Sequence, residues 1–277
     1  MTALITLSHG SRHPQAVGLI DELSAAAANS AGVEGYSSHL EFNEPDLRTA
    51  VAEAIADGHK HMVIVPLLFT RGFHQKVDVP EQLAAVRQQA QRAGADVELA
   101  DGLGTGLAME ELLSRVIARD APAGAHVVLV SVGSSDHAAN ASVDKLARRV
   151  AARRAGVNQA GAHQSGVIQS GVNQSDAEQS SADGISVVFA TGPNRLAELA
   201  QDHERMHLVP LFVSHGLLLD RMYRQAEEIN AAQASGAQDG AAPAGASQAG
   251  ESAEQERRIT YSQPLGTALA EVVAAQI

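Results

Sequence analysis

The stretch LSHGSRHPQA (residues 7–16) gathers His9, Ser11, Arg12 and His13 around a single glycine, directly behind an apolar run. Further on, LEFNEP (40–45) carries Glu41, and RGFHQKVDVP (71–80) carries Arg71, His74 and Lys76. Neutral imidazole ligates first-row divalent metals and takes up protons near neutral pH, and a carboxylate adds a hard ligand and a second proton acceptor. Two histidines and a glutamate converging on one cleft therefore suit a divalent metal. Arg12, Arg71 and Lys76 beside them are cations that pair with an anionic partner. The chain has no cysteine, so disulfides, thiolate nucleophiles and cysteine-ligated clusters are excluded, and any metal must rest on imidazole and oxygen.

Convergence requires a scaffold, and the hydropathy pattern supplies one. ALITL (3–7), GYSSHLEF (35–42), HMVIVPLLF (61–69) and DVELADGLG (96–104) read as strands or strand and turn. Between them QAVGLIDELSAAAANSAG (15–32), NEPDLRTAVAEAIADG (43–58) and VPEQLAAVRQQAQRAG (79–94) have helical spacing, with Pro45 expected in a first turn. Strands alternating with helices predict a parallel α/β sheet, which gathers ligands at its carboxyl edge. His9 and His74 follow the first and third strands, and Glu41 is expected near the end of the second, facing away from Leu40 and Phe42.

Near residue 120 the pattern restarts. LSHGSRHPQAVGLIDEL (7–23) aligns without a gap on VSVGSSDHAANASVDKL (130–146), and EFNEPDLRTAV (41–51) on FATGPNRLAEL (189–199). VPLLFTRGF (65–73) then aligns on VPLFVSHGL (209–217), and DGLGTGLAMEELL (101–113) on QPLGTALAEVVAA (263–275). Four matches in one order describe an internal duplication. The predicted architecture is two tandem α/β lobes, 1–120 and 121–277, each a parallel sheet flanked by helices. Two low-complexity tracts, 156–184 and 231–256, interrupt the second copy; their Ala/Gly/Gln/Ser composition reads as surface loops.

The duplication separates what builds the fold from what does chemistry. Gly10 and Ser11 recur as Gly133 and Ser134, whereas His9 meets Val132, Arg12 meets Ser135, Glu41 meets Phe189 and His74 meets Leu218. The chemistry is expected in the first copy alone. His215 takes the Arg71 position and is a possible second-copy neighbour of the cleft, while His59, His61, His203 and His207 are expected at solvated strand starts. A phosphohistidine enzyme would place arginine before His-Gly, where this chain has Ser8, and the turn lacks the Gly-Lys-Ser/Thr of a phosphate cradle. A non-catalytic carrier that binds a metal or another ligand through the same residues stays open.

The ordered set of HGSR, LEFNEP and VPLLFTRGFHQKVDVP, with LG before the last helix, resembles the sirohydrochlorin cobaltochelatase and ferrochelatase family, the class II chelatases. The degenerate VPLFVSHGLLLDRM resembles the second copy of its long two-lobed form. The resemblance implies insertion of Fe2+ or Co2+ into sirohydrochlorin without ATP, the metal being a substrate and no cofactor permanently bound. It puts His9 and His74 at the metal, with Glu41 as the acidic member. Ser11, Arg12, Arg71 and Lys76 are then expected to hold the polycarboxylate ring.

Whole-chain properties bound the partners. A net charge of −12 argues against a nucleic-acid partner, which needs a basic surface. No run approaches the ~20 apolar residues that span a bilayer, and MTALITLSHG lacks the basic start of a signal peptide, so a cytoplasmic protein is expected. A duplicated chain supplies both lobes itself and is compatible with a monomer.

Overall fold

The computed structural model describes residues 1–70, 78–162, 184–193, 195–237 and 258–277. The first half runs β1 (Thr2–Ser8), α1 (Ala16–Ala31), β2 (Glu34–His39), α2 (Leu47–Ala56), β3 (His61–Pro66), α3 (Asp78–Arg92), β4 (Asp96–Leu99) and α4 (Leu107–Asp120). The second runs β5 (His126–Ser131), α5 (His137–Ala162), β6 (Ile185–Phe189), α6 (Arg195–Asp202), β7 (Met206–Pro210), α7 (Leu217–Ala237) and β8 (Ile259–Tyr261). A 3-10 turn (Gly266–Leu269) and α8 (Ala270–Ala274) close the chain. Each half forms one four-stranded parallel sheet, in the order β2-β1-β3-β4 and β6-β5-β7-β8. The two orders are the same, as a duplication requires.

Strand β1 shows how the sequence pattern becomes two faces. Its residues are buried on both sides, as expected of a central parallel strand. Ala3, Ile5 and Leu7 join the outer core beneath α2 and α3, while Leu4 points inward. Thr6, also inward, bonds its hydroxyl to that of Ser24 on α1, so the polar pair is satisfied in the interior. Helix α1 stops at Gly32, whose φ of +68° is left-handed and whose N–H caps the carbonyls of Ala28 and Asn29.

Several element ends differ from expectation. β2 ends at His39, not at residue 42, so Glu41 lies in a loop and has no strand facing. The cap of α2 is Asp46, whose side chain accepts the Thr49 N–H at 2.7 Å, and Pro45 precedes that cap instead of sitting in the first turn. The expected surface loops begin as helix: α5 continues through residues 156–162 and α7 through 231–237. Residues 231–237 (AAQASGA) are alanine-rich and extend a nucleated helix at little cost, and 156–162 (GVNQAGA), with two glycines, continue one already nucleated; neither would start a helix. Residues 163–183 of the first tract and 238–256 of the second lie outside the described residues.

The two sheets share an interior. Helices α1, α4, α5 and α8 lie between them, and one core cluster runs from Leu4, Leu23 and Val65 through Leu113 and Leu146 to Val209 and Leu269. The packing is reciprocal: α4, last in the first lobe, packs on α5, first in the second, while α8 and its preceding turn pack on α1. Separate outer clusters cover the far faces, under α2 and α3 in one lobe and under α6 and α7 in the other. Among the described residues, no helix is long and apolar enough to cross a membrane.

Candidate functional site

The carboxyl ends of β1, β3, β5 and β7 open onto one cleft of about 720 Å3 between the lobes. Open parallel sheets place ligands there, and the volume suits a large organic ligand. The first lobe lines it with His9, Ser11, Arg12, His39 and Phe42, and the second with Val132, Ser135, Ser214, His215 and Leu217.

The His9 turn is fixed by the loop after β2. Leu40 N–H donates to Ser8 O at 2.9 Å, Glu41 N–H to His9 O at 3.1 Å, and Ser11 N–H to Asn43 Oδ1 at 2.7 Å. Gly10 makes this contact possible: its φ is +88°, and a Cβ there would fall 1.8 Å from Glu41 O. Asn43 N–H in turn donates to Glu41 O at 2.8 Å across Phe42, which has a φ of +65°. That i to i+2 bond at positive φ is a strained γ-turn, and it throws the Phe42 ring outward, 53% exposed. The Arg12 guanidinium lies 4.7 Å from the Phe42 ring centre, and the His9 and Phe42 rings meet edge to face at 6.0 Å.

Of the sequence candidates, His9, Ser11 and Arg12 stand on this wall. The Glu41 side chain is exposed and outside the cleft lining, although its backbone holds the His9 turn. Arg71, His74 and Lys76 lie outside the described residues. Among the described residues, no group of three or more histidines and carboxylates is positioned to hold a metal.

Strand register also corrects the comparison of the copies. Ser8 pairs with His39 and Ser131 with Phe189, so Phe189 is the counterpart of His39. Thr191 donates to Val132 O as Glu41 does to His9 O, making Thr191 the counterpart of Glu41. Aligning through Pro45 and Pro193 hides this, because the first copy has a longer stretch between strand end and proline. The corrected register exposes a residue that the sequence reading missed. His39 is buried at the cleft floor, its Nδ1 is 2.7 Å from Ser8 Oγ, and Gly10 N–H donates to the same hydroxyl at 3.2 Å. Burial pulls the His39 imidazole below its usual range, opposed by Asp21 and Glu44. Its Nε2 has no hydrogen-bond partner among the described residues.

Other histidines depart from expectation as well. His59 is buried and meets Glu34 Oε2 at 2.8 Å, and His207 is buried between the hydroxyls of Thr260 and Ser262. Strand starts are solvated only where nothing covers them; Glu34 at the start of β2 meets His59, and β8 with the residue that follows it meets His207. His215 does reach the cleft: it stacks on His13 at 5.5 Å, and His13 Nε2 lies 3.4 Å from Asp220 Oδ2, joining the lobes at one side of the opening.

The CbiX family model matches residues 3–120, the span that builds the His9 wall. Residues 3–120 are similar to the CbiX family. The chain is 31% identical over 87 residues to the sirohydrochlorin cobaltochelatase of Methanococcus aeolicus, spanning 31% of the chain and 61% of that protein. It is 41% identical over 69 residues to the enzyme of the same name from Saccharolobus islandicus, spanning 24% of the chain and 54% of that protein. The chain thus spans little more than half the length of the curated relatives it matches. The two lobes together share the fold of the sirohydrochlorin chelatase SirB from Bacillus subtilis subspecies spizizenii in complex with cobalt. The TM-score is 0.63 at 19% identity, covering 100% of this chain and 93% of that one. SirB from Bacillus subtilis with Fe3+ gives 0.62 at 18%, covering 99% and 93%. CbiX, the terminal enzyme of siroheme biosynthesis in denitrifying bacteria, gives 0.56 at 15%, covering all of both chains.

Proposed function

We propose that the protein inserts a divalent metal, Fe2+ or Co2+, into sirohydrochlorin without ATP. The observation that carries this reading is the placement of His9. It follows the carboxyl end of a central strand in the lobe that the CbiX family model matches, on a cleft large enough for a tetrapyrrole, and its counterpart in the second lobe is Val132. The first lobe, 1–120, is read as the chemical half and 121–277 as its companion.

Insertion removes two pyrrole N–H protons while the ion exchanges its ligands for four ring nitrogens. His9 and His74 either hold the ion or accept these protons, since imidazole near neutral pH does either, with Glu41 assisting proton removal. Arg12, pinned over Phe42, faces the ring carboxylates, and Ser11, Arg71 and Lys76 complete the anionic recognition.

Spectroscopic assay of the purified protein with sirohydrochlorin and each metal tests the reading. His9→Ala and His74→Ala should each lower the insertion rate at least about 100-fold, the usual scale of a lost acid–base group. A wild-type rate equal to the uncatalysed one, with stoichiometric uptake of ring or metal, would instead make the protein a carrier.

A further inference from the structure

Among the described residues, six large hydrophobic side chains are exposed, and three of them are on the cleft: Phe42 at 53%, Val132 at 41% and Leu217 at 69%. Scattered exposed apolar side chains are ordinary, but concentration in one concave site from two lobes marks a surface that is covered in use.

Val132 is the structural counterpart of His9. The carbonyls of both accept a loop N–H, from Thr191 and Glu41 respectively, and both are followed by a left-handed glycine, Gly133 at +89° and Gly10 at +88°. The duplication therefore gives the cleft two walls of one shape and different chemistry. One carries an imidazole, and the other carries Val132 with Leu217 at the first position of α7.

We infer that the second lobe is the ring-holding half of the site, with Val132 and Leu217 forming an apolar plate under one face of the macrocycle. This rests on the chelatase reading. A tetrapyrrole has two apolar faces and an anionic rim. With one face on Val132 and Leu217, the other is turned toward His9, so the metal enters from the first-lobe side. Phe42 bounds the ring on that side, and the rim carboxylates meet Arg12 and the hydroxyl of Ser135, its counterpart.

Such a plate contributes equally to ground state and transition state, so its loss raises KM and leaves kcat. The experiment is titration of metal-free sirohydrochlorin, followed by its absorbance, against the wild type and the V132S/L217S double variant. The double variant should bind the ring about tenfold more weakly, about 1.4 kcal/mol. Its kcat at saturating ring should stay within about twofold of wild type, as for uniform binding. V132I and L217M, which keep apolar area, should retain affinity. Leu217→Ser alone, at an exposed helix start where serine is well tolerated, should weaken binding about threefold and keeps the test open if the double variant does not fold. Wild-type affinity in L217S and the double variant, or a loss confined to kcat, overturns the inference. A wild type that binds no ring overturns the chelatase reading itself, before any variant is made.

Discussion

Gly10 and Gly133 occupy one repeat position at one backbone angle, +88° and +89°, yet they guard different walls. A methyl at Gly10 would fall 1.8 Å from Glu41 O, against the loop that fixes the His9 turn; at Gly133 it would fall 2.6 Å from Thr191 Oγ1. Both substitutions force an L residue into the left-handed region and should lower the thermal midpoint, each costing more than ~1 kcal/mol. Gly10→Ala should also cut metal insertion about 100-fold, since a shift of an ångström at a reacting group suffices for that. Gly133→Ala should leave kcat near wild type. Equal losses of kcat in the two variants, measured beside their unfolding curves, would contradict this assignment of the walls.

At the scale of elements, the lobes are joined by helix pairs, and one pair carries charge. Glu110 of α4 is buried and meets Arg149 Nε at 3.1 Å and Arg153 Nε at 2.8 Å, both on α5, while Arg149 also bonds Thr105 O. The Arg153 hydrogen bond, with that of Arg149, holds the Glu110 carboxyl below the usual carboxylate range against the effect of burial. A depressed carboxylate stabilises the native state at neutral pH and loses that contribution as pH falls through its folded value. Glu110→Gln should therefore lower the midpoint at neutral pH by a few degrees, and the difference from wild type should shrink in acid. The cores of the outer faces, under α2 and α3 and under α6 and α7, should be unaffected by this change. Hydrogen exchange that rises under α4 and α5 and not under α2 would localise the effect to the joint.

For the molecule as a whole, acid should act first on the second lobe. His126, buried at the start of β5 and stacked on His203 at 3.6 Å, is lowered from 6.5 to about 4 by burial, with His203 and Arg154 adding to it. His207, buried in β7, is lowered to about 4 by burial, Asp120 opposing. Both are neutral in the native state, and the unfolded chain binds their protons from 6.5 downward. Their effect on stability is absent above that value, grows as pH falls, and reaches its limit near 4. The thermal midpoint should fall over that window, and His207→Gln should make the fall shallower. A midpoint independent of pH between those values would show that these imidazoles are charged in the native state.

The sequence alone determined the duplication, the two parallel sheets and the residues set apart in the first copy, because strand burial and turn glycines leave periodic marks in the chain. His9, Ser11 and Arg12 were legible for that reason: they follow a strand whose pattern is unambiguous, and their counterparts lie at gapless offsets. Glu41 was misplaced on a strand because LEF alternates plausibly with what precedes it; the hydrogen bonds of the Gly10 turn end β2 at His39. His39 was missed because the prolines fixed a false register, and only the sheet pairing shows which residues face each other. The helical starts of the low-complexity tracts depended on helices already nucleated by core contacts, which no local composition records. The tertiary structure alone decided that the two walls share one cleft, since a chain written as two copies does not say that their first and last helices pack reciprocally. That packing places Val132 and His9 on the same opening.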